Sequence, residues 1–270
     1  MSSLTFERLG QLLKTTMDKP DVHFFDLLAV LESLDRKDII SLLNDLLKGI
    51  EHNKKLSSIE EEHIYLYREA GVNLLIRFAG TSIPPVKLLA SEVDIILMSL
   101  ASIPIEVPRF SCVINKNDLA QRPEDLIKEQ PIVLEPFKPY CFSAFSSILD
   151  FNNASHNTPI LIIHSEKKSW STWAFDRLSL KALHRVSTDL RASRIQLTLL
   201  LLRTMHIKGT DELIKSLVLS DYAGQVRWEG AKYYYELNPE DAKKVLHLLA
   251  EKDSDPAVQR AAQKTLQSIK

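Results

Sequence analysis

The stretch SDYAGQVRWEGAKYYYEL at 220–237 returns further along the chain as DSDPAVQRAAQKTLQSI at 253–269. In this alignment Asp221 meets Asp253, Val226 meets Val258, Arg227 meets Gln259, Gly230 meets Ala262, Tyr234 meets Leu266 and Leu237 meets Ile269. Val, a small residue, a large apolar residue and Leu or Ile at steps of four, four and three line one face of an α-helix, so each copy predicts a helix with a single buried stripe. The Asp five residues ahead of the Val is placed to accept backbone N–H groups near the helix start and to complement the helix dipole. Between the copies, Asn238-Pro239-Glu240-Asp241 opens a second amphipathic segment through Ala242, Val245, Leu246 and Leu249. Its proline falls in the first turn, where a missing N–H costs little. Helix, turn, helix is the repeating unit.

These residues resemble the HEAT-repeat family, whose second helix opens on Asp, a few residues, Val-Arg and then small residues. Here the pattern is Asp221, Val226, Arg227, Gly230, Ala231 and, again, Asp253, Val258, Ala261, Ala262, with Gln259 standing where the second copy would carry Arg. Leu213, Leu217 and Ser220 continue the rhythm upstream, and Ile195 with Leu199 point to an earlier helix whose phase is masked by LTLLLL at 197–202. The resemblance is confined to the C-terminal third. It implies an α-solenoid that presents its surface to another molecule, and it implies no reaction.

Glycine is absent from 81–208 while prolines gather between 84 and 159, which sets a middle region apart. Before it, apolar residues recur at helical spacing, as in Phe6, Leu9, Leu12, Leu13, in Ile64, Leu66, Tyr67, Leu74, Leu75, Phe78, and in Val86, Leu89, Val93, Ile96, Leu97. This spacing predicts five helices within 1–104, the fourth with a capping box at Ser57 or Ser58 and Glu60 or Glu61. Within 105–176, RFSCVIN, PIVLEPF, PYCFSAF, TPILIIHS and STWAF read as short strands of a small β-domain. The resulting expectation is an α+β chain, mainly α: helical 1–104, β-rich 105–176 and HEAT-like helices over 177–270. No apolar run is long enough for a bilayer, and MSSLTFERLGQLL lacks the shape of a targeting segment, so the expected compartment is the cytoplasm. Cys112 and Cys141 read as two unbridged thiols.

The constellations that carry chemistry are thin. No GxGxxG or GxxxxGK cradle exists. Glu60 with His63 would be half of a two-metal helical site without its other half, and is read as a solvated acidic turn. His156 and His164, with Glu166 and Asp150 nearby, lack the companions of a metal site. Cys141 with His164, or Ser143 or Ser146 in its place, sketches a nucleophile and base without any activating context. Trp170, Trp173 and Phe175 read as an alternating core strand rather than a ligand platform. No catalytic residue, cofactor or metal is assigned.

One segment departs from this background. Residues 177–208 hold seven Lys and Arg against one acid in a chain whose formal net charge is -1. Arg177, Lys181 and Arg185 are spaced by four, with Arg191 and Arg194 following, so a helix here would carry one basic face. Two readings compete: an exterior surface for an anion or acidic partner, and internal pairing with the acidic N-terminal helices. The function expected from the whole sequence is a non-catalytic adaptor or scaffold with another protein as partner. Nucleic acid bound through 177–208 is the alternative, and a small-molecule binder or enzyme using the β-domain is the third reading. No membrane partner is expected.

Overall fold

Thr5 starts the first helix, its hydroxyl accepting the backbone N–H of Arg8 at 3.3 Å. The helix, α1 (Phe6–Met17), buries Phe6, Leu9 and Leu13 along one stripe. The computed structural model describes residues 4–51, 58–60, 63–69, 71–80, 85–115, 121–205, 207 and 209–269. The chain divides into two units: 1–114 with 123–169 and 173–184, and 115–122 with 170–172 and 185–270.

In the first unit α1 is followed by α2 (Leu28–Glu32) and α3 (Arg36–Glu51). Strands come next along the chain: β1 (Ser58–Glu60), β2 (His63–Glu69), β3 (Val72–Ala79), β4 (Lys87–Leu89), β5 (Ile95–Ser99), β6 (Ile105–Val107), β7 (Arg109–Ser111), β8 (Ile127–Lys128), β9 (Ile132–Leu134), β10 (Pro139–Phe142), β11 (Ser147–Leu149), β12 (Thr158–His164), β13 (Ser171–Asp176) and β14 (Ala182–Ser187), of which Ser171 and Thr172 of β13 and residues 185–187 of β14 belong to the second unit. The principal sheet is antiparallel with order β1-β2-β3-β12-β5-β10. Its first face, with Val72, Leu74, Ile76, Ile96, Met98, Leu161 and Ile163, packs under Leu9, Leu13, Leu27, Leu31, Ile39 and Leu42 of the helical layer. Its second face, with Leu75, Leu97, Ile160 and Ile162, is covered by Ile105 and Val107 of β6, Leu134 of β9, and Phe151.

The mainly α expectation is therefore corrected. Among the described residues the N-terminal helices lie within 6–51, and the residues assigned to a fourth helix form the β2–β3 hairpin. Gly71 turns it at φ +88°, a backbone region that glycine enters without a Cβ clash. The segment assigned to a fifth helix holds β4 and β5. The error has a physical cause. A strand covered on both faces shows a continuous apolar run, such as Leu74-Leu75-Ile76, and loses the alternation that distinguishes it from a buried helix. Ser57 and Glu61 of the expected capping box lie outside the described residues, as do the side chains of Ser58 and Glu60. Each of the five segments read as strands in 105–176 does contain one.

The second unit carries α4 (Leu190–Thr204), α5 (Asp211–Val218), α6 (Gly224–Leu237), α7 (Pro239–Lys252) and α8 (Pro256–Ser268). Tyr234, Val245, Leu246, Leu249, Val258 and Ala262 share one core with Ile214 and Val218, while Val226 packs in a smaller cluster with Ala192 and Ala223. Asn238 caps α7 and Asp255 caps α8, each with proline in the first turn. On α4 the apolar run resolves into Leu199, buried, and Leu197, Leu200 and Leu201, exposed.

Candidate functional site

One rung of the principal sheet is polar on its second face. Arg68 pairs with Asn73, Asn73 with His164, and His164 with Ile95 across β2, β3, β12 and β5. Residues directly opposite in an antiparallel ladder share a face, so Arg68, Asn73 and His164 lie on the side of Leu75 and Ile162. Tyr65 pairs with Leu75 and belongs to the same side. In a regular strand Tyr65 and Arg68, three apart, would face opposite ways. A β-bulge between Tyr65 and Tyr67 inserts the extra residue that brings them together. The Arg68 guanidinium stacks 3.3 Å from the Tyr65 ring centroid, and the Tyr65 and His164 rings meet nearly edge to face at 6.4 Å.

The chain leaving β12 closes the site. Ser165 donates its N–H to Asp94 O at 3.0 Å, and its Oγ accepts the Asp94 N–H at 3.0 Å. Lys168 forms an ion pair with Asp94, whose Oδ1 also accepts the Ala144 N–H at 2.9 Å, and Lys167 lies 3.8 Å from Glu92. Burial pushes the Glu92 carboxyl above its ordinary range, while its own backbone N–H and then Lys167 pull the other way. The result is a cleft of about 560 Å³ lined by Tyr65, Arg68, Glu69, Asn73 and the stretch 164–167, within the size range of small-molecule sites.

His164 Nδ1 lies 2.9 Å from the Ser165 carbonyl, to which it donates, leaving Nε2 of the neutral ring as an acceptor. Burial lowers the His164 pKa first of all, and the charges of Lys167 and Arg68 lower it further against the opposing effect of the Ser165 carbonyl. The cleft thus presents two cations, a neutral imidazole acceptor, an amide and an aromatic face. Glu69 and Glu166 share it, which disfavours a polyanion and suits a small ligand with one acidic group.

The residues singled out in the sequence are distributed otherwise. Arg177 sits in a turn after β13 and forks onto Asp150, with Nη2 3.1 Å from Oδ1, while its Nε donates to Pro85 O at 2.6 Å. Lys181 is exposed just before β14. In the second unit, Arg185 donates to Ser171 Oγ at 2.6 and 3.2 Å, Arg191 donates to Tyr222 O–H at 2.9 Å, and Arg194 is exposed on α4. Residues 182–187 are a strand, so the spacing of Arg177, Lys181 and Arg185 does not make a helical face. His156 precedes β12 and His164 ends it, which separates them by roughly 20 Å of extended chain. Cys141 pairs with Ile96 on the helix-covered face, whereas His164 lies on the other, so the two do not form a dyad. Trp173 and Phe175 are buried and Trp170 is exposed. Among the described residues no group of three or more His, Cys, Asp or Glu could hold a metal ion, and no helix is long and apolar enough to cross a membrane. Tyr65, Arg68 and Asn73 went unread in the sequence. The available signal was the alternation of His63, Tyr65 and Tyr67 with Ile64 and Leu66, a strand pattern ending at Gly71.

The chain matches no family model and no curated protein. Among solved structures, hydroxypropylphosphonic acid epoxidase from S. wedmorenis is similar at 11% identity over 61% of this chain and 100% of that one, with a TM-score of 0.24. A provisionally assigned mannose-6-phosphate isomerase from Ralstonia eutropha covers 41% of this chain and 89% of its own at 14% identity and TM-score 0.26. A cupin-superfamily sugar phosphate isomerase from Silicibacter pomeroyi covers 47% and 76% at 10% identity and TM-score 0.24. Scores this low establish neither a shared architecture nor a shared site. The reading of the chain as a mainly helical adaptor or scaffold is corrected on the fold itself. Its larger unit is a layered β structure with a polar cleft.

Proposed function

We propose that the β-rich unit binds a small molecule carrying one acidic group and at least one hydroxyl or amino donor. The acidic group is received by Arg68 and Lys167, and the donor by Nε2 of His164. The observation that carries this reading is the β2 bulge, which places Tyr65 and Arg68 on the face of a half-buried His164 whose pKa is lowered. Bulges concentrate where a strand must re-aim a side chain. Cys112 and Cys141, both unbridged, accord with the expected cytoplasmic setting.

The test is isothermal titration and thermal shift with a panel of hydroxy acids, amino acids and sugar phosphates. A true ligand at a hundred times its Kd stabilises the fold by about 2.7 kcal/mol. Arg68→Gln and His164→Gln should each weaken it by about tenfold or more. Affinity unchanged in both variants, or no ligand in the panel, removes the reading. The same neutral imidazole favours a second reading, His164 as proton acceptor of a reaction, in which His164→Gln abolishes turnover while retaining part of the binding.

A further inference from the structure

A second, smaller cavity of about 160 Å³ in the first unit shares no lining residue with the cleft and has Arg77, Ser91, Ser143 and Ser147 as its polar wall and Phe142 and Phe151 among its apolar neighbours. Its volume corresponds to about five waters, enough for one compact group and too little for a metabolite body. No carboxylate belongs to the lining, in contrast to the cleft with its Glu69 and Glu166. The acids next to lining residues in sequence are all engaged: Asp150 by Arg177 and by Asn153 Nδ2 at 2.9 Å, Asp94 by Lys168 and the Ala144 N–H, and Glu92 by Lys167 at 3.8 Å.

One guanidinium lines this cavity and a second touches its wall. Arg77 lines it, anchored by Nη2 to Asn152 Oδ1 at 2.8 Å and lying 4.9 Å from the Phe151 ring centroid. Arg109 reaches its wall through Nη2, 3.3 Å from Ser147 Oγ, with its guanidinium 6.0 Å from the Phe142 ring centroid. Nε of Arg109 is buried without a hydrogen-bond partner, an arrangement that native proteins seldom leave standing without a ligand, water or ion to complete it. Ser147 Oγ accepts from Arg109 and so keeps its own proton for a further acceptor. Fixed guanidinium forks and hydroxyl donors around an acid-free space are the chemistry that recognises an oxyanion.

We infer that this cavity is a binding site for a single tetrahedral oxyanion, phosphate or sulfate, either free or as the terminal group of a larger molecule. The site is independent of the cleft at His164, and the test keeps them apart. In the Arg68→Ala/Lys167→Ala protein, which lacks the cations of the cleft, inorganic phosphate is titrated calorimetrically, with sulfate as competitor and glycerol 3-phosphate as a second arm. The expected result is saturable binding of one phosphate, displaced by sulfate. Arg109→Lys keeps the charge but loses the fork and should weaken binding about tenfold or more. Ser143→Phe, which fills the cavity from a half-buried wall position, should abolish it. Binding of glycerol 3-phosphate as well identifies a terminal group, and its exclusion identifies a free anion. Selenate soaked into crystals of the wild-type protein should appear between Arg77 and Ser147 by its anomalous signal, which decides the matter even if both variants fail to fold. No saturable binding, affinity unchanged in both variants, or selenate elsewhere overturns the inference.

Discussion

Arg227 and Asp253 meet as a forked ion pair with side-chain exposures of 8% and 2%, Nε lying 3.0 Å from Oδ2. The same guanidinium also donates to Tyr222 O and, at 3.2 Å, to Ser254 Oγ, so the start of α6 is tied to the turn that leads into α8. A buried pair of this kind adds little over an apolar replacement, but removing one partner strands the other. Asp253→Ala should therefore destabilise the second unit by about 3–5 kcal/mol, whereas Arg227→Met with Asp253→Leu should recover much of the loss. Chemical denaturation monitored at Trp228 checks both; equal loss in the single and double variants would mean that the damage is in packing.

The two ends of the chain were unequally legible. In the C-terminal helices one face is buried and the other wet, so Val226, Tyr234, Val258 and Ala262 could be picked out by spacing and are all buried, the last three in one core and Val226 in a smaller cluster beside Ala192 and Ala223. Nothing in the spacing revealed that Arg227 of one copy would reach Asp253 of the next. In the principal sheet both faces are covered, so β3 and β5 show apolar runs that fit a helix as well as a strand. The cleft was less legible still, because it depends on a bulge. One inserted residue in β2 decides whether Tyr65 and Arg68 are neighbours or lie on opposite faces, and pairing register is a property of two strands that no single strand displays.

Gly10 tests the helix-on-sheet packing. It lies on the buried side of α1, and a Cβ at this position would overlap the ring of Tyr67 on β2. Alanine is the better helix former by about 1 kcal/mol, yet forcing a methyl group into a packed interface costs about 1–3 kcal/mol. Gly10→Ala should come out neutral to destabilised by about 2 kcal/mol. A clear rise in melting temperature would show that Tyr67 moves aside freely.

Burial, reinforced by Lys167 and Arg68, holds the His164 pKa below its ordinary value. The unfolded chain, with an ordinary pKa of about 6.5, then binds the proton more readily than the native state. Stability is full above that pH and declines as pH falls through the lowered folded value, where the loss levels off. His164→Gln should flatten this part of the stability profile. Denaturant melts between about pH 7.5 and 5 check it; a profile unaltered by the substitution would assign the acid sensitivity elsewhere.

Arg177 and Lys181 separate an internal cation from an external one within four residues of chain. The Arg177 side chain is 14% exposed and its partner Asp150 only 3%, so Arg177→Glu sets two carboxylates against each other in a buried place. Breaking such a pair costs about 3–5 kcal/mol, and like charge adds to that. Lys181 is exposed, and exposed charges contribute less than about 1 kcal/mol, so Lys181→Glu should melt almost as the parent does. Raising the salt concentration should narrow the small effect at Lys181 and leave the large one at Arg177 nearly unchanged, because screening acts on solvated charges and hardly on buried ones. If Arg177→Glu melted like the parent, the fork onto Asp150 would not be holding the turn after β13, and Arg177 would belong with Lys181 among the solvated cations.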